Sequence, residues 1–497
     1  MTTDFSTPQR QNFRGILVIF LMDLAKRIKQ NIYAFLPLLS SNIRENYWQF
    51  IVIGLVLLLI LQLLYSYKSY LNFKFHIEND RFFLRHGVFK FTDVDIAFDR
   101  IQNININQNL IQQMLNVVGF EIETAGQGKA EITIKALSRE DAVELKRILL
   151  KHKADQVKGD EKTKSASSQS VKPETLFHLN LKRLLKVGIS SNYLKGLGLV
   201  FAFFATLYQY IEDILSNFYD VDVDETYLNQ IPETVGYVAG FIIFIITAAF
   251  LVTIATSVIK YFELKITKSN NEFEVDYGLF KRVNQVIKKN KTQVFEIEQN
   301  PIKDFFGIKN IFISQASSEE LNKKKKIGIV GVTDDEIKIM FQSLFNLPFD
   351  QNFVVVKSSK RLMIRLMLRY SILSIGIGLG LFFWQNLVVS IIVFSILTAI
   401  FSYVAFKTVK KSHVGVNESL MKINSGSIHT NMKYIGTHKI QSLALKRNWF
   451  QQHNQHADLI IYTASGSERV SYLKYNEALK MINYLNYKVE SSQLSWI

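Results

Sequence analysis

Cysteine is absent from all 497 residues. Disulfides, thiolate nucleophiles and cysteine-held metals are therefore excluded, while the compartment stays undecided. The chain also lacks the GxSxG, P-loop and GxGxxG patterns and any paired catalytic carboxylates, so no enzyme class is indicated and a non-enzymatic protein is expected. Residues 1–14 are polar, with Arg10 and Arg14, and lack the apolar core and small residues of a cleaved signal; they are expected to be retained. Histidines gather late, at His413, His429, His438, His453 and His456, without the HExxH arrangement that holds zinc. No metal or cofactor is expected.

Apolar residues, in contrast, are abundant. They make up 48% of the chain, with 38 phenylalanines, more than soluble domains need. The formal charge of +16 fits an anionic membrane surface and the cytoplasmic ends of membrane helices, because the basic residues flank apolar runs. Nucleic acid is not an expected partner. Twenty uncharged residues, 48–67, suffice for one crossing of a hydrocarbon core of about 30 Å. Residues 196–211 and 235–259 read as two more spans. Between them seven acidic residues occur without one Lys or Arg, which makes that loop external. The thirty-seven uncharged residues 370–406 read as a tight hairpin with Gln385 and Asn386 at its tip. Arg361, Arg365 and Arg369 share one helix face before it and are expected to snorkel at the cytoplasmic boundary. Residues 15–22 read as an amphipathic interfacial helix.

Three copies of one pattern lie among these apolar runs. Gly87, Gln102 and Ala125 are spaced by fifteen and twenty-three residues, and the same intervals separate Gly278, Gln293 and Ala316, then Gly426, Gln441 and Ala464. An asparagine follows each glutamine by seven: Asn109, Asn300 and Asn448. Fixed internal spacing marks one supersecondary unit used three times. In the first copy the alternation in FKFHIEND, RFFLRHGVF, DIAFDRIQNININ, FEIETAG and AEITIKAL predicts six or seven strands, with a turn at Asn79-Asp80. Ser138 and Asp141 then open an amphipathic helix. The fold class expected is α+β: three small β-barrels, each closed by a C-terminal helix and separated by transmembrane hairpins.

The motifs R-x-G-x-F near Arg85, RIQ at Arg100, QNL at Gln108 and ETAG at Glu123 resemble the bacterial membrane-flanked PH-like domain family. The layout is similar to its three-copy, YdbT-type integral membrane proteins. The resemblance implies a PH-like barrel of seven strands and a C-terminal helix. It divides the chain into membrane segments (1–70), a first PH-like domain (71–152), a flexible linker (153–175) and a hairpin with the acidic loop (194–260). A second domain (261–348), a second hairpin (361–406) and a third domain (407–490) complete it. All three domains are expected on the cytoplasmic side of the cell's inner membrane.

Arg81, Arg85, Lys90 and Arg100 are the candidate contacts for an anionic lipid headgroup, set against the plainer reading that basic residues beside a membrane helix set orientation. The repeated glycines are expected to serve turns or bulges, and the repeated glutamines to make structural hydrogen bonds. The leading function expected is presentation of the three domains to a membrane-protein partner or to a second copy of the chain. The alternative is movement of lipid or a small substrate along the domains, weakened by spans without ionisable residues.

Overall fold

The computed structural model describes residues 4–30, 41–124, 132–157, 174–191, 196, 198–200, 202, 235–269, 272–316, 326–384 and 387–492. Most of the expected span 196–211, all of the acidic loop and Gln385-Asn386 lie outside the described residues. In chain order the first copy comprises β1 (Gln9–Arg10), α1 (Gly15–Gln30), α2 (Ser41–Asn72), β2 (Lys74–Glu78), β3 (Arg81–His86), β4 (Thr92–Ala97), β5 (Ile101–Gln108), α3 (Leu110–Met114), β6 (Val118–Thr124), β7 (Ile132–Leu137) and α4 (Arg139–Val157). The second comprises β8 (Glu174–His178), α5 (Leu181–Ile189), α6 (Val235–Tyr261), β9 (Lys265–Ser269), β10 (Glu272–Tyr277), β11 (Arg282–Lys288), β12 (Thr292–Gln299), α7 (Pro301–Phe305), β13 (Lys309–Gln315), β14 (Lys326–Val332) and α8 (Asp334–Phe345). The third comprises β15 (Val354–Lys357), α9 (Arg361–Trp384), α10 (Leu387–Lys411), β16 (His413–Val416), β17 (Leu420–Gly426), β18 (Thr430–Gly436), β19 (Ile440–Lys446), α11 (Trp449–His453), β20 (His456–Thr463), β21 (Gly466–Lys474) and α12 (Tyr475–Ser491).

Each copy begins one strand earlier than its sequence suggests. Gln9 of β1 pairs with Phe75 of β2, Glu174 of β8 with Lys268 of β9, and Val354 of β15 with Val416 of β16. The apolar helices are thus inserted between the first and second strands of a copy and do not separate one copy from the next. Among the described residues four helices are long and apolar enough to cross a membrane: Trp48–Asn72, Ile243–Tyr261, Arg361–Phe383 and Leu387–Lys411. Their apolar side chains face outward, as at Ile372 (74% exposed) and Phe383 (84%), which only a lipid solvent tolerates over such lengths.

The chain forms two compact units. The first contains the antiparallel sheet β1-β2-β3-β4 and the strands β5, β6 and β7. Asn79 and Asp80, both at positive φ, make the tight β2–β3 hairpin, as the sequence predicts. Phe75, Phe82 and Ile96 from one sheet pack on Ile104, Phe120 and Ile132 from the other, with Leu145 of α4 closing the core. Helix α1 departs from expectation. Val18 and Met22 cover Val117 and Ala136 of the first copy, so part of the helix's apolar surface serves protein packing, while Leu17, Leu21 and Ile28 stay exposed.

The second unit contains the seven-stranded antiparallel sheet β14-β13-β12-β18-β17-β16-β15 and the three-stranded sheet β19-β20-β21. Val414, Met421 and Ile435 face Ile440, Leu459 and Leu473 across one core, plugged by Met481 and Leu485 of α12. The expected closed barrels are not formed: the sheets are open. Where the second and third copies meet, the physical reason lies in β12 and β18. Strand β12, from the second copy, bonds along its edge to β18 of the third, so a neighbouring copy satisfies the edge that closure would otherwise have to satisfy.

Candidate functional site

Sheet edges are where this architecture does its joining. In the first unit β5 pairs antiparallel with β11, with Gln108 opposite Arg282 and Asn107 opposite Val283. In the second unit β12 pairs with β18, with Gln299 opposite Thr430 and Glu298 opposite Asn431. The two junctions share one register. In each, the residue before the repeated asparagine faces the residue four past the repeated glycine.

The β12–β18 junction carries a charge pair. Glu296, 4% exposed, lies directly opposite Lys433 at 3.8 Å, and its carboxylate also accepts from Lys326 at 2.5 Å. Lys433 in turn reaches Glu468 of β21 at 2.5 Å. Tyr434, opposite Phe295, has its phenol pushed up to about 12 by burial, with Asp350 adding to the effect. Burial also lowers the Lys439 ammonium, which donates to the Asn290 carbonyl at 2.6 Å across the same junction. A charge pair of this kind favours the observed register, because a one-residue slip would separate Glu296 from Lys433 and turn the buried face of the strand outward.

The repeated residues serve this scaffold. Gly87, Gly278 and Gly426 have φ of 134°, 112° and 105°, and a Cβ at each would fall within about 2.0 Å of the carbonyl oxygen three residues on. They are turn glycines. Each repeated glutamine sits at a β-bulge: the register shifts between Ile101 and Asn103, between Thr292 and Val294, and between Ile440 and Ser442. Gln293 is buried and Gln441 exposed, so the shared feature is the bulge and not one common side-chain contact. Asn109, Asn300 and Asn448 are N-caps, accepting from the backbone N–H of Gln112, Lys303 and Gln451. With Gln112 and Gln451 answering, two are full capping boxes, which the N-x-x-Q spelling in the sequence signals. The Ala316 N–H donates to the Lys291 carbonyl, and Ala464 lies in the β20–β21 turn; Ala125 is outside the described residues.

The four candidate headgroup residues do not converge. Arg81 makes a forked pair with Asp95 (2.5–2.9 Å), and Arg85 lies 3.6 Å from Asp93 while stacking over Phe91. Lys90 lies in the turn after β3, whereas Arg100 follows β4 at the opposite end of the hairpin. Arg365 also departs from expectation. Its guanidinium lies 3.5 Å from Asp458, 1% exposed, which accepts from Arg469, from Gln451 Nε2 at 2.5 Å and from the Tyr472 N–H at 2.9 Å. No local pattern announces this node, whose members lie on α9, α11, β20 and β21. No group of three or more His, Cys, Asp or Glu side chains suited to a metal occurs among the described residues. The third copy holds an apolar cavity of about 790 Å³ beside β15 and α12, lined by Phe353, Val355, Val416 and Met481 with Lys480 and Tyr484.

Comparison with known proteins agrees with this architecture. The family model described as "Bacterial PH domain" matches three times, at residues 28–153, 223–341 and 368–489. The chain is also similar to the UPF0699 transmembrane protein YdbT of Bacillus subtilis (strain 168), 24% identical over 489 residues and covering 94% of each chain. Its three matches span most of its length, each with the glycine turn, bulge and asparagine cap described above, and the chain belongs to the bacterial PH domain family.

Proposed function

We propose that this membrane protein is a non-enzymatic scaffold that presents three PH-like copies on the cytoplasmic face and binds protein partners along their sheet edges. The observation that carries the reading is the repeated junction. Successive copies already recognise one another by antiparallel edge pairing in a single register, and that mode needs only backbone groups and a few matched side chains. The basic residues flanking the α9–α10 hairpin, Arg361 and Arg369 at one end and Lys407, Lys410 and Lys411 at the other, support the cytoplasmic placement. Affinity capture of the full chain from gently solubilised membranes tests the reading. A reproducible protein partner, or self-association, is the expected result; a strictly monomeric particle with neither would overturn it.

A second reading has one observation in its favour. The cavity beside β15 is walled mostly by apolar side chains, with Glu418, Glu477 and Lys480 as its charged lining, which suits an acyl chain. Mass spectrometry of the purified protein, with and without Val355→Trp, separates the two: bound lipid lost on filling the cavity supports lipid carriage.

A further inference from the structure

Resting on the edge-pairing reading, we infer that the partner is a second copy of this chain, joined head to tail by pairing β19 of one molecule with β4 of the next. Three copies in series need three such junctions per molecule if the series is to continue, and the fold makes two of them internally. The strands equivalent to β5 and β12 in the third copy, and to β11 and β18 in the first, are β19 and β4. Each ends its sheet: β4 terminates β1-β2-β3-β4, and β19 terminates β19-β20-β21. Their side chains show it. The first six residues of β12 are all buried, whereas in β19 Gln441, Ser442 and Lys446 are exposed; in β4, Thr92, Asp93 and Asp95 are exposed.

The shared register then fixes the contacts. Arg447 precedes the repeated asparagine, and Phe91 stands four past the repeated glycine, so Arg447 faces Phe91 of the neighbour and Lys446 faces Thr92. Continuing along the strands, Ala444 meets Val94 and Ser442 meets Ile96. These positions are matched in kind. Where the internal junction sets Glu296 against Lys433, the outer one sets Ala444 against Val94, so neither strand brings an unanswered charge to the middle of the contact. Elsewhere the strands are opposite in sign: β4 carries Asp93 and Asp95 and no base, while β19 and the residue after it carry Lys446 and Arg447 and no acid. The two aspartates are already held across β3 by Arg85 and Arg81 on the face away from the core, so pairing does not require burying them bare. A contact between two different surfaces is heterologous and generates a ring or an open row of molecules.

The cysteine-free chain allows a direct test in native membranes. Thr92→Cys and Lys446→Cys place one thiol on each edge, both at exposed positions. On oxidation with copper-phenanthroline, a mixture of the two single variants is expected to give a disulfide dimer, and the double variant a ladder of multimers, with neither single variant cross-linking alone. Asp93→Cys with Leu445→Cys is the second pair, one step along the same register. Val94→Lys should reduce the cross-link at least tenfold, and adding Ala444→Glu should restore it by rebuilding the Glu296–Lys433 arrangement. Absence of cross-links from both pairs, or a dimer from Lys446→Cys alone, overturns the head-to-tail pairing. If cross-links are absent while a foreign protein is still captured and is lost on Ala444→Glu, the scaffold reading stands and only the self-pairing falls.

Discussion

Gly426 shows how closely one backbone position governs a copy. With φ at 105° and the His429 carbonyl oxygen within 1.9 Å of where a Cβ would stand, no L side chain fits without moving the β17–β18 turn. Gly426→Ala is therefore expected to cost about 2–3 kcal/mol, read as a lower thermal midpoint of the purified chain. An unchanged midpoint would mean that the turn relaxes freely. At this scale the sequence was legible where a residue type answers a local need. The repeated glycine announces a positive φ from its own chemistry, whereas the repeated asparagine is only a spacing marker in the sequence and its role as a helix cap emerges from the structure. The glutamines were harder to read, because a bulge is set by the mismatch between two partner strands and not by the residue that occupies it. Arg81, Arg85 and Arg365 misled for a related reason. Each finds its carboxylate on another strand, Asp95, Asp93 or Asp458, which no local pattern reveals.

Elements were legible in proportion to their length. The apolar runs and the long alternating strands stand out, whereas β1, β8 and β15 have 2, 5 and 4 residues and lie a membrane helix or more away from their partners. So short a run carries too little periodicity to be read, and the hairpins therefore looked like separators when they are insertions. The junction between α9 and the third copy is where this insertion is anchored. Asp458 accepts hydrogen bonds from Arg365 at the membrane end of α9, from Arg469, from Gln451 and from the N–H of Tyr472, itself held at a φ of 59°. Asp458→Asn keeps the shape but removes the charge facing two guanidiniums. The expected loss is about 1–3 kcal/mol, below the range for fully buried pairs because both arginines reach solvent. Limited proteolysis should show the third copy opening first, and Arg469→Ala should cost less than Asp458→Asn. Equal losses would mean that Asp458 serves only Arg469.

For the whole molecule the governing quantity is the distribution of charge about the apolar helices. The chain carries +16 overall, yet residues 212–233 hold seven acids and no base, while basic residues crowd the ends nearest the copies. A cation moved to the outer face works against the membrane potential, and an acidic loop does not, so both features support the cytoplasmic placement proposed above. The edge pairing makes the same demand: a molecule can join β5 to β11 and β12 to β18 only if all its copies share one compartment. Single cysteines at Lys90, Lys281 and Ser427, in the turns after the three repeated glycines, are thus expected to react with a membrane-impermeant maleimide only after the cells are opened. Asp222→Cys should react in intact cells. A turn cysteine labelled from outside would place that copy across the membrane from its pairing strand, and both the shared register and the charge argument would then fail together.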